Sequence, residues 1–194
     1  MKTLQPAFPN APRAVRIIGG AWRRARLPVP EQPGLRPTPD RVRETLFNWL
    51  GQDLTDWHCI DAFAGTGALG LEAASRGAAS VLLVEQHPRL AQALAAARER
   101  LGATAVRVER GDGVAALARL APGSLDLALL DPPFGAPDLA AAALAAAAHA
   151  VRPGGFVYLE APSPCPPETL AAHGLAAHRH LKAGAVVAQL LVKT

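Results

Sequence analysis

Asp61-Ala62-Phe63-Ala64-Gly65-Thr66-Gly67-Ala68-Leu69-Gly70 is the stretch that decides how this sequence folds. An apolar, strand-like run at 59–63 leads into it, and a helical stretch at 67–76 leaves it. Glycines at such a strand-to-helix turn let the backbone bend tightly and come close to a ligand. The helix then presents its N-terminal amides to the crevice beyond the strand ends. The same alternation continues outward. Apolar strand candidates lie at 80–84, 105–108, 125–130 and 156–159, with helical stretches at 88–101, 113–120 and 137–151 between them. Strands that are apolar throughout, separated by helices, predict a parallel sheet covered on both faces. Residues 137–151 are very rich in alanine, the best helix former, and read as a tightly packed helix. The tail predicts two more strands, at 178–181 and 186–192.

Two cofactor classes compete for the glycine turn. Gly65, Gly67 and Gly70 fit GxGxxG, and Glu85 follows Gly65 by 20 residues, a spacing that dinucleotide-binding proteins share. Asp61, four residues before Gly65, separates the two readings. A carboxylate there repels a pyrophosphate and suits the ammonium of the methionine part of S-adenosylmethionine (SAM). Glu85, at the next strand end, is placed to accept two ribose hydroxyl protons. Asp112, after the third strand, is placed either to accept from an adenine amine or to cap the helix at 113–120, and the two roles are compatible.

The fourth strand ends in Asp131-Pro132-Pro133-Phe134. Two prolines at the mouth of a sheet stiffen the backbone, and the first offers a carbonyl with no amide hydrogen of its own. An exocyclic base amine has two hydrogens, and Asp131 and the Pro132 carbonyl can each accept one. Phe134 offers a face for the base to stack on. Acceptors fixed in this way stabilise positive charge developing on an attacking nitrogen.

The N-terminal part has a different character. Residues 1–50 hold nine Lys/Arg and three Asp/Glu, a net +6, while residues 51–194 carry a net −2. Basic residues gathered in one segment point to a polyanion partner. Residues 1–12 read as a disordered tail. Short strands at 15–18 and 22–27 flank Gly19-Gly20, which reads as a hairpin turn. Arg16, Arg23, Arg24 and Arg26 lie on or beside this hairpin, and Arg36 lies in the Pro/Gly-rich linker that follows. Thr38-Pro39 then reads as an N-cap and first helical residue, with Val42, Leu46, Trp49 and Leu50 forming one apolar face and Gly51 the stop.

Composition narrows the classes. The 194 residues are half apolar, enough for one domain with a sizeable core. The apolar runs at 78–84 and 125–130 fall well short of the about 20 residues a membrane span needs. No apolar secretion signal follows the first residues. Cys59 and Cys165 lack CxxC spacing, and His58, His87, His149, His173, His178 and His180 lack metal-ligand spacing, so neither disulfides nor a metal is expected. A cytoplasmic monomer is the expectation.

Taken together, these motifs resemble the class I SAM-dependent methyltransferases, and Asp131-Pro132-Pro133-Phe134 resembles the (D/N)PP(F/Y) element of those acting on exocyclic amines. Arg16-Ile17-Ile18-Gly19-Gly20, Arg23, Leu27-Pro28, Leu35-Arg36-Pro37-Thr38 and 41–48 are similar to the RsmD family, over nearly the whole chain. That resemblance implies an α/β, Rossmann-like fold with a seven-stranded, mostly parallel sheet and an antiparallel last strand. It implies SAM as cofactor and guanine N2 in small-subunit (16S) ribosomal RNA, or the small ribosomal subunit, as target. It assigns cofactor roles by position to Asp61, Phe63, Gly65, Gly67, Glu85, Gln86 and Asp112, amine binding to 131–134, and RNA contact to the basic extension at 13–37. The methyltransferase domain is then 38–194. Where the family often carries basic residues after the amine motif, Gly135-Ala136-Pro137 stand here. The rival readings are a DNA adenine-N6 methyltransferase, for which a separate DNA-recognition domain is lacking, an NAD-dependent oxidoreductase, against which Asp61 argues, and an RNA-binding protein without activity.

Overall fold

Seven strands build the central sheet, in the order Val106–Arg110, Ser80–Glu85, His58–Asp61, Leu125–Leu130, Val151–Ala161, Val186–Lys193 and Leu175–Ala183, and a separate two-stranded sheet of β1 (Ala14–Arg16) and β2 (Arg26–Pro28) lies in the N-terminal part. The structure is a computed structural model and describes residues 14–32, 35 and 37–194. The tail at 1–12 and Arg36, singled out above, lie outside the described residues. The strands are β3 (His58–Asp61), β4 (Ser80–Glu85), β5 (Val106–Arg110), β6 (Leu125–Leu130), β7 (Val151–Ala161), β8 (Leu175–Ala183) and β9 (Val186–Lys193). All pairings from β5 to β7 are parallel, and β9 runs antiparallel between β7 and β8. This is the expected sheet with its antiparallel last strand.

The apolar strands are explained by burial on both faces. Cys59, Leu127, Leu129 and Tyr158 face one core with helices α1 (Asp40–Trp49), α2 (Ala68–Ser75) and α3 (Pro88–Leu101). Ile60, Ala128, Leu130 and Val157 face the other, with α4 (Gly113–Ala118), α5 (Pro137–Ala150) and α6 (Pro167–Ala172). The alanines of α5 allow close approach: Ala143, Ala147 and Ala150 are fully buried. Among the described residues no helix is long and apolar enough to cross a membrane.

The N-terminal segment departs from the sequence reading. The paired strands are only β1 (Ala14–Arg16) and β2 (Arg26–Pro28), shorter than the runs 15–18 and 22–27. Gly19-Gly20 is not a two-residue turn. It docks on the end of α2, where Ala21 donates its N–H to the Ser75 carbonyl (2.7 Å), Trp22 donates to Ser75 Oγ (2.9 Å), and Ser75 Oγ donates to the Gly19 carbonyl (2.6 Å). A Cβ at Gly20 would overlap the Ser75 carbonyl, and φ there is +74°. The glycines serve tertiary contact, so the local turn signal misled.

Helix α1 begins one residue later than expected. Thr38 does not cap it: no side-chain cap exists, and the Thr38 hydroxyl instead donates to Glu160 Oε1 at 2.8 Å. Its buried face holds Val42, Arg43, Leu46 and Phe47, with Trp49 only half-buried. Arg43 is wholly buried. Its guanidinium reaches Asp40 (2.6 Å), Glu72 (3.2 Å), and the carbonyls of Arg16 (3.0 Å) and Thr38 (3.2 Å). Glu72 on α2 is also fully buried and accepts from Ile18 N–H (2.8 Å), Gly19 N–H (2.7 Å), Arg43 and Arg76. Burial lowers the Arg43 pKa, and the carboxylates of Glu72 and Asp40 counter that.

Removing one member of a buried ion pair leaves the other charge stranded, at a typical cost of about 3–5 kcal/mol. Glu72→Ala is therefore expected to destabilise the fold by about that much in urea unfolding, because the buried Arg43 and Arg76 both lose the carboxylate between them. A loss comparable to that of an exposed glutamate substitution would show that the network is not what holds the extension.

Candidate active site

The strand order reverses between β3 and β6, and open α/β sheets bind ligands at such a switch point. A cavity of about 340 Å³ lies there, at the carboxyl ends of the strands. Asp61, Phe63, Gly65, Glu85, Gln86, Asp112 and Asp131–Phe134 all line it, so sequence-distant loops converge as the motifs suggested. Gly67 does not line it. That glycine starts α2 at φ +78°, and a Cβ there would lie 2.6 Å from Leu94 Cδ2, so its role is packing of α2 against α3.

Asp61 ends β3 and is 1% exposed. Its Oδ2 accepts the Gly70 N–H at 2.9 Å, while Oδ1 is buried without a hydrogen-bond partner among the described residues. Burial pushes its pKa up to about 7; the amides of Gly70 and Phe63 oppose this, and the charges of Glu85 and Glu160 add to it. Glu85 ends β4 and accepts N–H groups from Gly65 (2.9 Å) and His87 (2.7 Å), which ties the two strand-end loops together. Asp112 caps α4, its Oδ1 accepting the Ala115 N–H at 2.7 Å, and still faces the cavity, so both roles read for it coexist geometrically.

Asp131 follows β6. Burial, with Glu160 and Asp61 nearby, holds its carboxyl well above the usual range. Pro132 is buried, whereas Phe134 is 57% exposed, the large hydrophobic side chain left open among the described residues. A fixed acidic group beside an open aromatic face can hold and stack a planar, amine-bearing ring.

Sequence reasoning missed the roof of the cavity. Gln32, Leu35, Pro37 and Thr38 of the linker line it, and Leu35 Cδ1 lies 3.3 Å from where a Gly65 Cβ would be. It also missed Glu160 on β7, whose Oε1 accepts from Thr38 and from Tyr158 OH (2.8 Å each). The only signal for Glu160 was a carboxylate at the end of an apolar strand.

The arginines of the extension stand apart from the cavity. Arg23, Arg24 and Arg26 are exposed. Arg16 is exposed too, but its Nε pairs with Asp40 at 2.7 Å. Arg100 of α3 donates to the Arg26 carbonyl at 2.7 Å and joins this basic surface.

Comparison with known proteins follows the same outline. Residues 15–192 match the family described as conserved hypothetical protein 95. The chain belongs to this family. An Escherichia coli relative, ribosomal RNA small subunit methyltransferase D, is 49% identical over 120 residues, covering 62% of this chain and 60% of the relative's length. Thus the chain spans under two thirds of the curated relative it matches. A solved candidate methyltransferase from Escherichia coli superposes with a TM-score of 0.79 at 35% identity, covering 93% of this chain and 98% of the other. A candidate methylase from Haemophilus influenzae gives 0.74 at 30% identity, covering 93% and 98%. The family resemblance and the fold read from the sequence are borne out.

A carboxyl whose pKa rises from 3.8 to about 7 on folding binds its proton more tightly in the folded state. Stability therefore falls as pH rises from about 4 to about 7, by an amount on the order of 4 kcal/mol for such a shift. Asp131 and Glu160 are shifted in the same direction. Asp61→Asn, which keeps the shape and removes the charge, is expected to make the decline shallower without abolishing it. An unchanged slope in urea titrations at pH 4 to 7 would contradict the assignment.

Proposed function

We propose that this chain transfers a methyl group from SAM to the exocyclic N2 amine of a guanine in small-subunit ribosomal RNA. The observation that carries the reading is the meeting of Asp131-Pro132-Pro133-Phe134 with Asp61 and Glu85 around one cavity. The residues present fit SAM. The partnerless, buried Asp61 Oδ1 calls for a donor, and an ammonium supplies one. Glu85 keeps lone pairs for ribose hydroxyls, and Asp112 keeps its second carboxylate oxygen for an adenine amine. A pyrophosphate offers Asp61 no donor and adds negative charge beside a carboxyl already crowded by Glu85 and Glu160, which disfavours a dinucleotide.

When bound, SAM supplies an electrophilic methyl on a sulfonium. The chain's own residues do the rest by positioning. Asp131 and the Pro132 carbonyl each accept one amine hydrogen and aim the nitrogen lone pair. The Phe134 ring receives the base once it leaves its stack. As positive charge grows on the nitrogen, the Asp131 carboxyl stabilises it in a site too buried for water to screen well.

The RNA assignment rests on the basic extension and on the name of the Escherichia coli relative, which acts on small-subunit ribosomal RNA. The amine motif alone serves adenine N6 equally. Residues 13–37 are the RNA-contacting extension in this reading and 38–194 the methyltransferase domain, working as a cytoplasmic monomer.

Two outcomes are expected. Asp131→Ala keeps SAM affinity in calorimetry and lowers transfer by about 10²–10³, the usual cost of losing a preorganised polar partner; wild-type turnover would place the amine elsewhere. Replacing Arg23, Arg24 and Arg26 together with Ala weakens RNA binding and lowers the slope of log affinity against log salt by about 2, because phosphate contacts release counterions. Equal slopes with equal affinities would move the RNA surface off the extension.

A further inference from the structure

We infer that Glu160 selects guanine over other amine-bearing bases by accepting its N1–H while Asp131 holds the N2 amine. The inference rests on the proposed guanine-N2 reading and names the residue that enforces it.

The parallel register pairs Leu130 of β6 with Leu159 of β7. The next residues therefore lie side by side: Asp131 just past the end of β6, and Glu160 still within β7, where it pairs with Ala188 of β9. Side chains alternate along a strand, so both project from the face that carries Leu129 and Tyr158. Glu160 is 8% exposed, and its Oε1 is saturated by the Thr38 and Tyr158 hydroxyls. Its Oε2 takes no hydrogen bond among the described residues and is not enclosed. Thr38 itself lines the cavity together with Asp131. Two hydroxyl donors thus lock one oxygen of a nearly buried carboxylate, next to Asp131 across the β6-β7 pairing, and leave the other free to accept.

The Watson–Crick edge of guanine presents two neighbouring donor groups, N1–H and N2–H₂. Adenine presents an amine beside N1, which is an acceptor, and 2-aminopurine carries the N2 amine beside the same acceptor N1. A carboxylate oxygen facing N1 rewards guanine and repels both of the others. A site built around a hydrogen bond discriminates strongly against analogues that lack it, because its buried polar group is then left unpaired.

Glu160→Gln tests this, since the amide keeps the shape and its oxygen can still accept from Thr38 and Tyr158. Its NH₂ then faces N1 and matches 2-aminopurine rather than guanine. The substrates are two copies of a small-subunit ribosomal RNA fragment, with guanine or 2-aminopurine at the position the wild-type enzyme methylates. The wild type is expected to prefer guanine in kcat/KM by about 10²-fold. The variant is expected to lose about 10- to 10²-fold on guanine, to gain on 2-aminopurine, and to bind SAM as before. A merely structural role would lower both substrates together and leave their ratio unchanged, and that result overturns the inference, as does full retention of the guanine preference. If the wild type makes no N2-methylguanosine at all, the underlying reading falls and this inference with it.

Discussion

The buried carboxylate of Glu72 is the contact on which the rest of the arrangement depends. It sits on α2, the helix that the glycine turn opens, and it accepts from Ile18, Gly19, Arg43 and Arg76 at once. Through it the basic extension and α1 are bolted to the helix behind the cavity. Arg76 adds a stack on the Phe47 ring, 4.7 Å from its centroid, and a hydrogen bond to Gln52. Burying so many charges is costly unless every donor and acceptor is matched, and here the matching fixes geometry more than it adds stability. Because α1 is held, Pro37 and Thr38 before it are held at the cavity. The basic extension and the residues over the cavity are parts of one frame.

Within that frame the site is electrostatically one-sided. Asp61, Glu85, Asp131 and Glu160 end neighbouring strands, and burial raises the pKa of Asp61, Asp131 and Glu160. Such a cluster is unstable when empty and fully charged. It favours whatever brings positive charge: an ammonium and a sulfonium in the ground state, and a nitrogen becoming cationic during transfer. The same gathering of carboxyls would bind the cofactor and lower the barrier.

The sequence made the sheet legible wherever burial is two-sided and punctuation is strong. Helix α3 runs over the expected residues because Pro88 opens it and Gly102, at φ +60°, closes it. Strand β6 also has the expected bounds, since an unbroken apolar run has only one way to lie in a covered parallel sheet. The edge strand β8 is legible only over 178–181, because the residues that extend it, Leu175-Ala176-Ala177 before and Lys182-Ala183 after, are mostly alanine and lysine, which carry little strand signal. The two-turn α6 was hidden in a proline-rich stretch. At the site, glycines and prolines announced the loops, so Asp61, Glu85 and Asp131 could be named. What stayed hidden were residues whose partners are remote in sequence. Thr38 looks like a cap until Glu160, 122 residues away, takes its hydroxyl. Nothing in the sequence marks Arg43 as buried, since its partner Glu72 lies 29 residues away, and Gly19-Gly20 look like a turn until Ser75 fills the space beside them.

A site suited to SAM and an exocyclic amine would act, in the proposed reading, on guanine in ribosomal RNA. Methyl transfer from isotopically labelled SAM to small-subunit ribosomal RNA, free and within assembling subunits, followed by digestion to nucleosides, tests it most directly. The account predicts that the label appears in N2-methylguanosine. Label in N6-methyladenine from DNA offered alongside, or no label in RNA under conditions where SAM binds, would contradict it.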